Sequence, residues 1–178
     1  MCIRDSNYVK KHLDAGRQGY IICPLVDEGE SDTELASAVK YADELQRGDF
    51  RGYTVGLMHG KMKSVDKKKV MESFSKGETQ LLVSTTVIEV GVDVPNAVIM
   101  VIENAERFGL SQLHQLRGRI GRGQYKSTCI LITDAKNDTA QRRMKVMETT
   151  TDGFKIADED LKLRGPGAVS YTHLTLPT

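Results

Sequence analysis

A chain of 178 residues holds one α/β domain with a short appendage and is too short for two full domains. Its 39% hydrophobic and 28% charged residues are ordinary for a globular protein, and no apolar run nears the roughly 20 residues that cross a bilayer. Twenty-five Lys and Arg against 24 Asp and Glu leave a net charge of +1, so bulk charge does not reveal a nucleic-acid partner and any basic surface must be local.

Residues 1–5 and 169–173 can be encoded by opposite strands of one DNA segment. ATG TGT ATA AGA GAC gives the first, and its reverse complement, GTC TCT TAT ACA CAT, gives the second. Residues 174–178 are also similar to translated adapter, so 1–6 and 168–178 are expected to be sequencing-adapter read-through rather than native tails. Inside them, 8–15 reads as the end of a helix closed by Gly16. The apolar run 19–26 (GYIICPLV) suits a parallel strand covered on both faces. An acidic loop, 27–32, precedes a helix over 33–47. A strand over 53–58 follows, then a helix over 65–75 capped by Ser64 and ended by Gly77. Strands are predicted over 80–84, 97–102 and 127–133, with a helix over 111–120 between the last two. This alternation predicts a parallel sheet with helices on both faces, a lobe spanning 7–137. Beyond it the pattern is helix only, over 139–149 and 156–163, which reads as a truncated helical hairpin within 138–167. Cys23 and Cys129 lie in strand-like runs and read as buried reduced thiols; no Cys-x-x-Cys pair exists, and no metal is expected. Without a secretory h-region the expected compartment is the cytoplasm, with no membrane partner.

The strongest chemical signal is Gln115-Leu116-Arg117-Gly118-Arg119-Ile120-Gly121-Arg122-Gly123. Arg119 and Arg122 are three apart, so a helix would point both the same way. Paired guanidiniums beside glycines allow close approach to a phosphate-bearing partner, and their permanent planar charge suits a transferring phosphoryl group. Gln115 adds a neutral amide. A solvated basic helix face is the plainer alternative, but Q-x-x-G-R-x-G-R is a much rarer spacing. Upstream, Ser84-Thr85-Thr86 puts hydroxyls and amides at a strand's carboxyl end, where open α/β sheets bind ligands. Alone, such a triplet is more often a strand-to-helix cap. His59 and Lys61, after the second strand, can touch a phosphate or lie in solvent. That loop is not a nucleotide cradle: Gly56 is too close to Gly60-Lys61 for G-x-x-x-x-G-K-[ST], and Met62 cannot ligate magnesium.

The 115–122 spacing resembles motif VI of superfamily-two helicases, and 83–95 resembles their motif V. The resemblance implies the second RecA-like lobe of an ATP-driven motor, with ATP and Mg²⁺ bound mainly by a first lobe of the parent chain. Arg122 would be an arginine finger and Arg119 a second γ-phosphate contact, with Gln115, Gly91 and Asp93 near the nucleotide. Thr85 and Thr86, with His59 and Lys61, would hold the DNA backbone, and Glu89 would be a structural hydrogen-bonder. Residues 143–167, through Asp152-Gly153-Phe154 to Leu163-Arg164-Gly165-Pro166-Gly167, are similar to a translocation hairpin shared by the RecG family and transcription-repair coupling factors. The RGPG ending and Glu103-Asn104-Ala105-Glu106-Arg107 look more like the RecG family. That implies a motor on branched or duplex DNA in fork rescue, recombination and repair, partnered by the first lobe and a wedge domain, in the bacterial cytoplasm near the nucleoid. Arg143, Phe154 and Arg164 would belong to the coupling hairpin, and the chain alone would not hydrolyse ATP. A coupling-factor lobe and a stand-alone nucleic-acid-binding module remain the alternatives.

Overall fold

Strands whose residues are apolar at every position need cover on both faces, and this sheet has it. The computed structural model describes residues 3–24, 31–85 and 93–164. Five strands, β1 (Gln18–Ile22), β2 (Val55–Met58), β3 (Leu81–Ser84), β4 (Ala97–Ile102) and β5 (Thr128–Leu131), form one parallel sheet in the order β2-β3-β1-β4-β5. Every residue of β1, β3 and β4 is buried, while the edge strands β2 and β5 are mostly half-buried.

Alternation along each strand sorts the core into two clusters. Tyr20, Ile22, Leu82, Met100 and Ile102 share one face with Met71 and Phe74 of α3 (Ser64–Ser75) and Leu110, Leu113 and Leu116 of α4 (Leu110–Arg117). Ile21, Leu81, Val83, Ile99 and Val101 share the other with Val9 and Leu13 of α1 (Ile3–Asp14) and Ala42 and Leu45 of α2 (Ser31–Arg47). The crossover β1–α2–β2 moves in one direction along the sheet and β2–α3–β3 in the other. Right-handed connections therefore put α2 and α3 on opposite faces. No helix among the described residues is long and apolar enough to cross a membrane.

Several boundaries differ from the sequence reading, each for a physical reason. β1 stops at Ile22, ahead of Pro24, which has no N–H for a central ladder, and the last two residues of the expected strand, 25 and 26, lie outside the described residues. Ser64 is the first residue of α3 and Lys63 the N-cap, with no side-chain cap bond, so Ser64 does not cap the helix. α4 ends at Arg117 rather than 120. The chain leaves it through the tighter bonds Arg119 N to Leu116 O (2.9 Å) and Ile120 N to Arg117 O (3.4 Å), then turns at Gly121 with φ +78°. The predicted C-terminal helices are α5 (Asp138–Thr149) and α6 (Gly153–Arg164). Asn137 starts α5 by accepting from Ala140 N at 2.8 Å. The hairpin packs onto the lobe, with Met147 and Ile156 buried in the same cluster as the α4 leucines.

Gln18 ties the base of the sheet together. Its side chain is buried, and Nε2 donates to Phe74 O (2.5 Å) and Thr79 O (2.7 Å), linking β1 to the end of α3 and the approach to β3. Gln18→Leu strips the side-chain donor from Thr79 O, while Phe74 O keeps Gly77 N at 3.0 Å, and an unsatisfied buried polar group costs about 1–3 kcal/mol. Urea unfolding followed by circular dichroism is expected to show a loss of about 2 kcal/mol; an unchanged midpoint contradicts this role.

Candidate functional site

The strand register brings β1, β2, β3 and β4 level at their carboxyl ends: Ile22 pairs with Ser84 and Ile102, and Met58 pairs with Ser84. The residues that follow Met58 and Ser84 are therefore neighbours. Thr85 N donates to Met58 O at 3.2 Å, which sets Thr85 beside His59. Both present buried polar atoms, Thr85 Oγ1 and His59 Nδ1, with no hydrogen-bond partner among the described residues. Buried polar atoms without a partner are few in folded proteins, which singles out this corner.

The surroundings of that corner are cationic. Residues 61–69 hold Lys61, Lys63, Lys67, Lys68 and Lys69 against Asp66 alone, a local excess that the net charge conceals. Lys67 Nζ donates to Gly60 O at 2.9 Å and holds the loop against α3. Burial, then the charges of Lys67 and Lys61, lower the His59 pKa below the usual histidine value. The ring stays neutral at pH 7, so one of its nitrogens can donate and the other accept. Of the other residues expected here, Thr86 and Glu89 lie outside the described residues, as does Gly91 in the nucleotide group.

A second corner forms where the segment before β4 meets the turn after α4. Arg122 forms an ion pair with Asp93, and its Nε donates to Gly118 O at 3.1 Å. A Cβ on Gly123 would run into the Pro95 carbonyl, so this glycine permits the two segments to touch. The sequence reading gave these glycines a role in admitting an outside phosphate; Gly121 supplies a positive φ and Gly123 an internal contact instead. Arg119 and Asp93 both act on the buried Tyr20 hydroxyl, whose pKa is pushed up to about 12 by burial, opposed by Arg119 and reinforced by Asp93. Arg119, Arg122 and Asp93 thus gather at the Tyr20 end of the apolar face. The arginines are not aligned by helical spacing, since α4 has ended before either. Gln115, in its last turn, is exposed.

Of the hairpin residues, Arg143 Nη1 donates to Glu106 O at 3.2 Å, Phe154 is 90% exposed, and Arg164 ends α6 with its side chain outside the described residues. Burial raises the pKa of Cys23 to about 12 and of Cys129 to about 11, which keeps both as thiols at neutral pH. Sequence reasoning missed Tyr20, which looked like one more apolar strand residue. It also missed His114 and Arg117, whose spacing from Ser111 by threes along α4 was the available signal.

A family model of the helicase conserved C-terminal domain matches residues 6–124. The chain is 55% identical over 161 residues to "ATP-dependent DNA helicase RecG" of Bacillus subtilis (strain 168), covering 90% of this chain and 23% of that protein. It is 52% identical over 159 residues to the protein of that name from Synechocystis sp., covering 89% and 19%. A solved structure of RecG bound to a three-way DNA junction superposes with a TM-score of 0.78 at 45% identity, over 92% of this chain and 21% of that one. The chain thus spans about a fifth to a quarter of the length of these relatives.

The Asp93–Arg122 pair leaves the two side chains 57% and 43% exposed, where ion pairs contribute about 0–1 kcal/mol. Asp93→Ala is therefore expected to shift the unfolding free energy by less than about 1 kcal/mol. A larger loss in a denaturant titration would make the carboxylate structural and not a release point for Arg122.

Proposed function

The chain belongs to the helicase conserved C-terminal domain family, and from that premise we propose that it is the second motor lobe of an ATP-driven, RecG-type helicase acting on branched or duplex DNA. The observation that carries the reading is the tether of Arg122. Its guanidinium rests on an exposed carboxylate and a backbone carbonyl at the edge of the lobe, charged and weakly held. A triphosphate brought up by a first lobe outside this chain, with its Mg²⁺, competes with Asp93 for that guanidinium. The bond to Asp93 is also charge-assisted, but it is made to one exposed, solvent-screened carboxylate, whereas a triphosphate offers several anionic oxygens to the planar fork of arginine.

On this reading Arg122 meets the charge that develops on the transferred phosphoryl group, and Arg119 supplies a second contact. Asp93, Gly91 and Gln115 would serve the nucleotide, Gln115 through its amide. At the other corner, Thr85, Thr86, His59 and Lys61 grip the phosphate backbone, supported by the two orphaned polar atoms and the local lysine excess. Arg143, Phe154 and Arg164 belong to the hairpin that passes lobe movement to the DNA. The lobe corresponds to residues 7–137 and the hairpin to 138–167, and the read-through reading of 1–6 and 168–178 meets one opposing observation, since Ser6 is buried and donates to Asp49 Oδ2 at 2.7 Å. The working setting is fork rescue, recombination and repair in the bacterial cytoplasm, at the nucleoid, with the first lobe and a wedge domain of the same parent chain as partners.

In the intact protein, Arg122→Ala is expected to lower DNA-stimulated ATP hydrolysis by about 10³-fold or more while DNA affinity is retained. Near-normal turnover in a steady-state assay rules out the finger role. The 178-residue chain by itself is expected to bind duplex DNA weakly, with an affinity that falls as salt rises, and to show no ATPase activity. Fluorescence anisotropy across a salt series checks the first, and hydrolysis by homogeneous material would contradict the second.

A further inference from the structure

Ser111, His114 and Arg117 form a polar stripe along α4, next to the buried Leu110, Leu113 and Leu116, and every member of the stripe meets the hairpin. Ser111 Oγ donates to Asp160 Oδ2 of α6 at 3.4 Å. His114 lies so near Gly153, the first residue of α6, that a Cβ there would come within 3.1 Å of Nε2. Arg117 makes the strongest contact. Its Nη1 donates to Met147 O (2.9 Å) and Thr150 O (3.0 Å) at the end of α5, and its Nη2 lies 3.2 Å from His114 Nδ1. The last carbonyls of a helix have no intrahelical donor and carry partial negative charge, so a guanidinium that takes two of them is well matched.

The adjoining residue serves the other side. Gly118 O receives Arg122 Nε, so consecutive residues hold the end of α5 and the arginine of the second corner. We propose that Arg117 is a positioning residue that carries displacement of the 118–122 turn into the hairpin, so that its loss separates ATP hydrolysis from DNA movement. This rests on the motor-lobe reading above. The Arg117 fork is committed to α5 and His114, so its removal leaves Asp93, Arg119 and Arg122 in place. A residue that served stability alone would lower hydrolysis and movement together.

The test is made on the intact protein, with base pairs unwound per ATP hydrolysed read on a branched-DNA substrate. Arg117→Met is expected to keep DNA-stimulated hydrolysis within about threefold and to lower the unwinding yield per ATP about tenfold, the size of effect that a coupling residue contributes. Parallel losses, or an unchanged yield, overturn the proposal. Should Arg117→Met fail to fold, His114→Ala carries the same test: it removes the Nη2 partner and the contact at Gly153, and a yield loss of about threefold with hydrolysis retained is expected. Parallel losses there overturn the proposal equally. Arg122→Ala separates the two levels. If hydrolysis survives it, the finger role of Arg122 on which this inference rests fails; if hydrolysis is lost but Arg117→Met leaves the yield unchanged, only the present inference fails.

Discussion

Burial of Leu110, Leu113 and Leu116 against the sheet fixes the pose of α4, and most of the chemistry depends on that one helix. A helix anchored by a stripe at every third residue cannot roll without exposing those leucines. Fully burying one such side chain contributes roughly 1.5–3 kcal/mol relative to leaving it exposed. The neighbouring stripe, Ser111, His114 and Arg117, is thereby aimed at the hairpin, and the carboxyl end delivers the 118–122 turn to Asp93. Core packing is thus the reason that the polar contacts along α4 and those of the turn beyond its carboxyl end hold a fixed geometry.

The strengths of those contacts are graded in a way that suits a moving part. Arg122 meets a carboxylate that is more than half exposed, so the pair is screened and contributes little to stability. A deeply buried pair would have been costly to break, because each freed charge would sit desolvated. Arg117, by contrast, places its fork on two main-chain carbonyls of α5, a helix that Met147 binds to the core. A weak grip lies on the side proposed to meet a triphosphate and a firm grip on the side proposed to transmit the result.

The sheet and its helices were legible because their signals are periodic and local. A continuous apolar run marked β1, and the alternation of strands with helices marked the parallel sheet and its cover on both faces. What failed was the extrapolation of a period past the residues that sustain it. Arg119 and Arg122 were read at helical spacing, but Gly118 and Gly121 let the chain unwind first, and a pairing with Asp93 some thirty residues upstream does not register in any short window. The glycines of that turn were likewise read as facing a ligand, when Gly123 is required by a Pro95 contact made only in three dimensions. His59 and Thr85 were legible as candidates by residue type. Their adjacency was not, since it depends on β2 and β3 ending in register.

Bulk charge was the poorest guide, and the fold explains why. A net +1 arises because acidic residues elsewhere cancel a run of lysines that the crossover β2–α3–β3 concentrates at one corner. Field strength at a surface depends on charges within about a Debye length, roughly 8 Å at physiological salt, so distant carboxylates do not offset that run. Lys61 and Lys67 act on His59 beside the two unsatisfied polar atoms, whereas Lys68 is paired with Glu72, so the cationic character of this corner is local and rests on few residues. The lysine charges also help to hold His59 neutral, which leaves one ring nitrogen free to donate and the other to accept. If this corner meets the phosphate backbone as proposed, long-range attraction from the lysines would set how salt-sensitive the contact is, and hydrogen bonding from His59 and Thr85 would set where the phosphate sits.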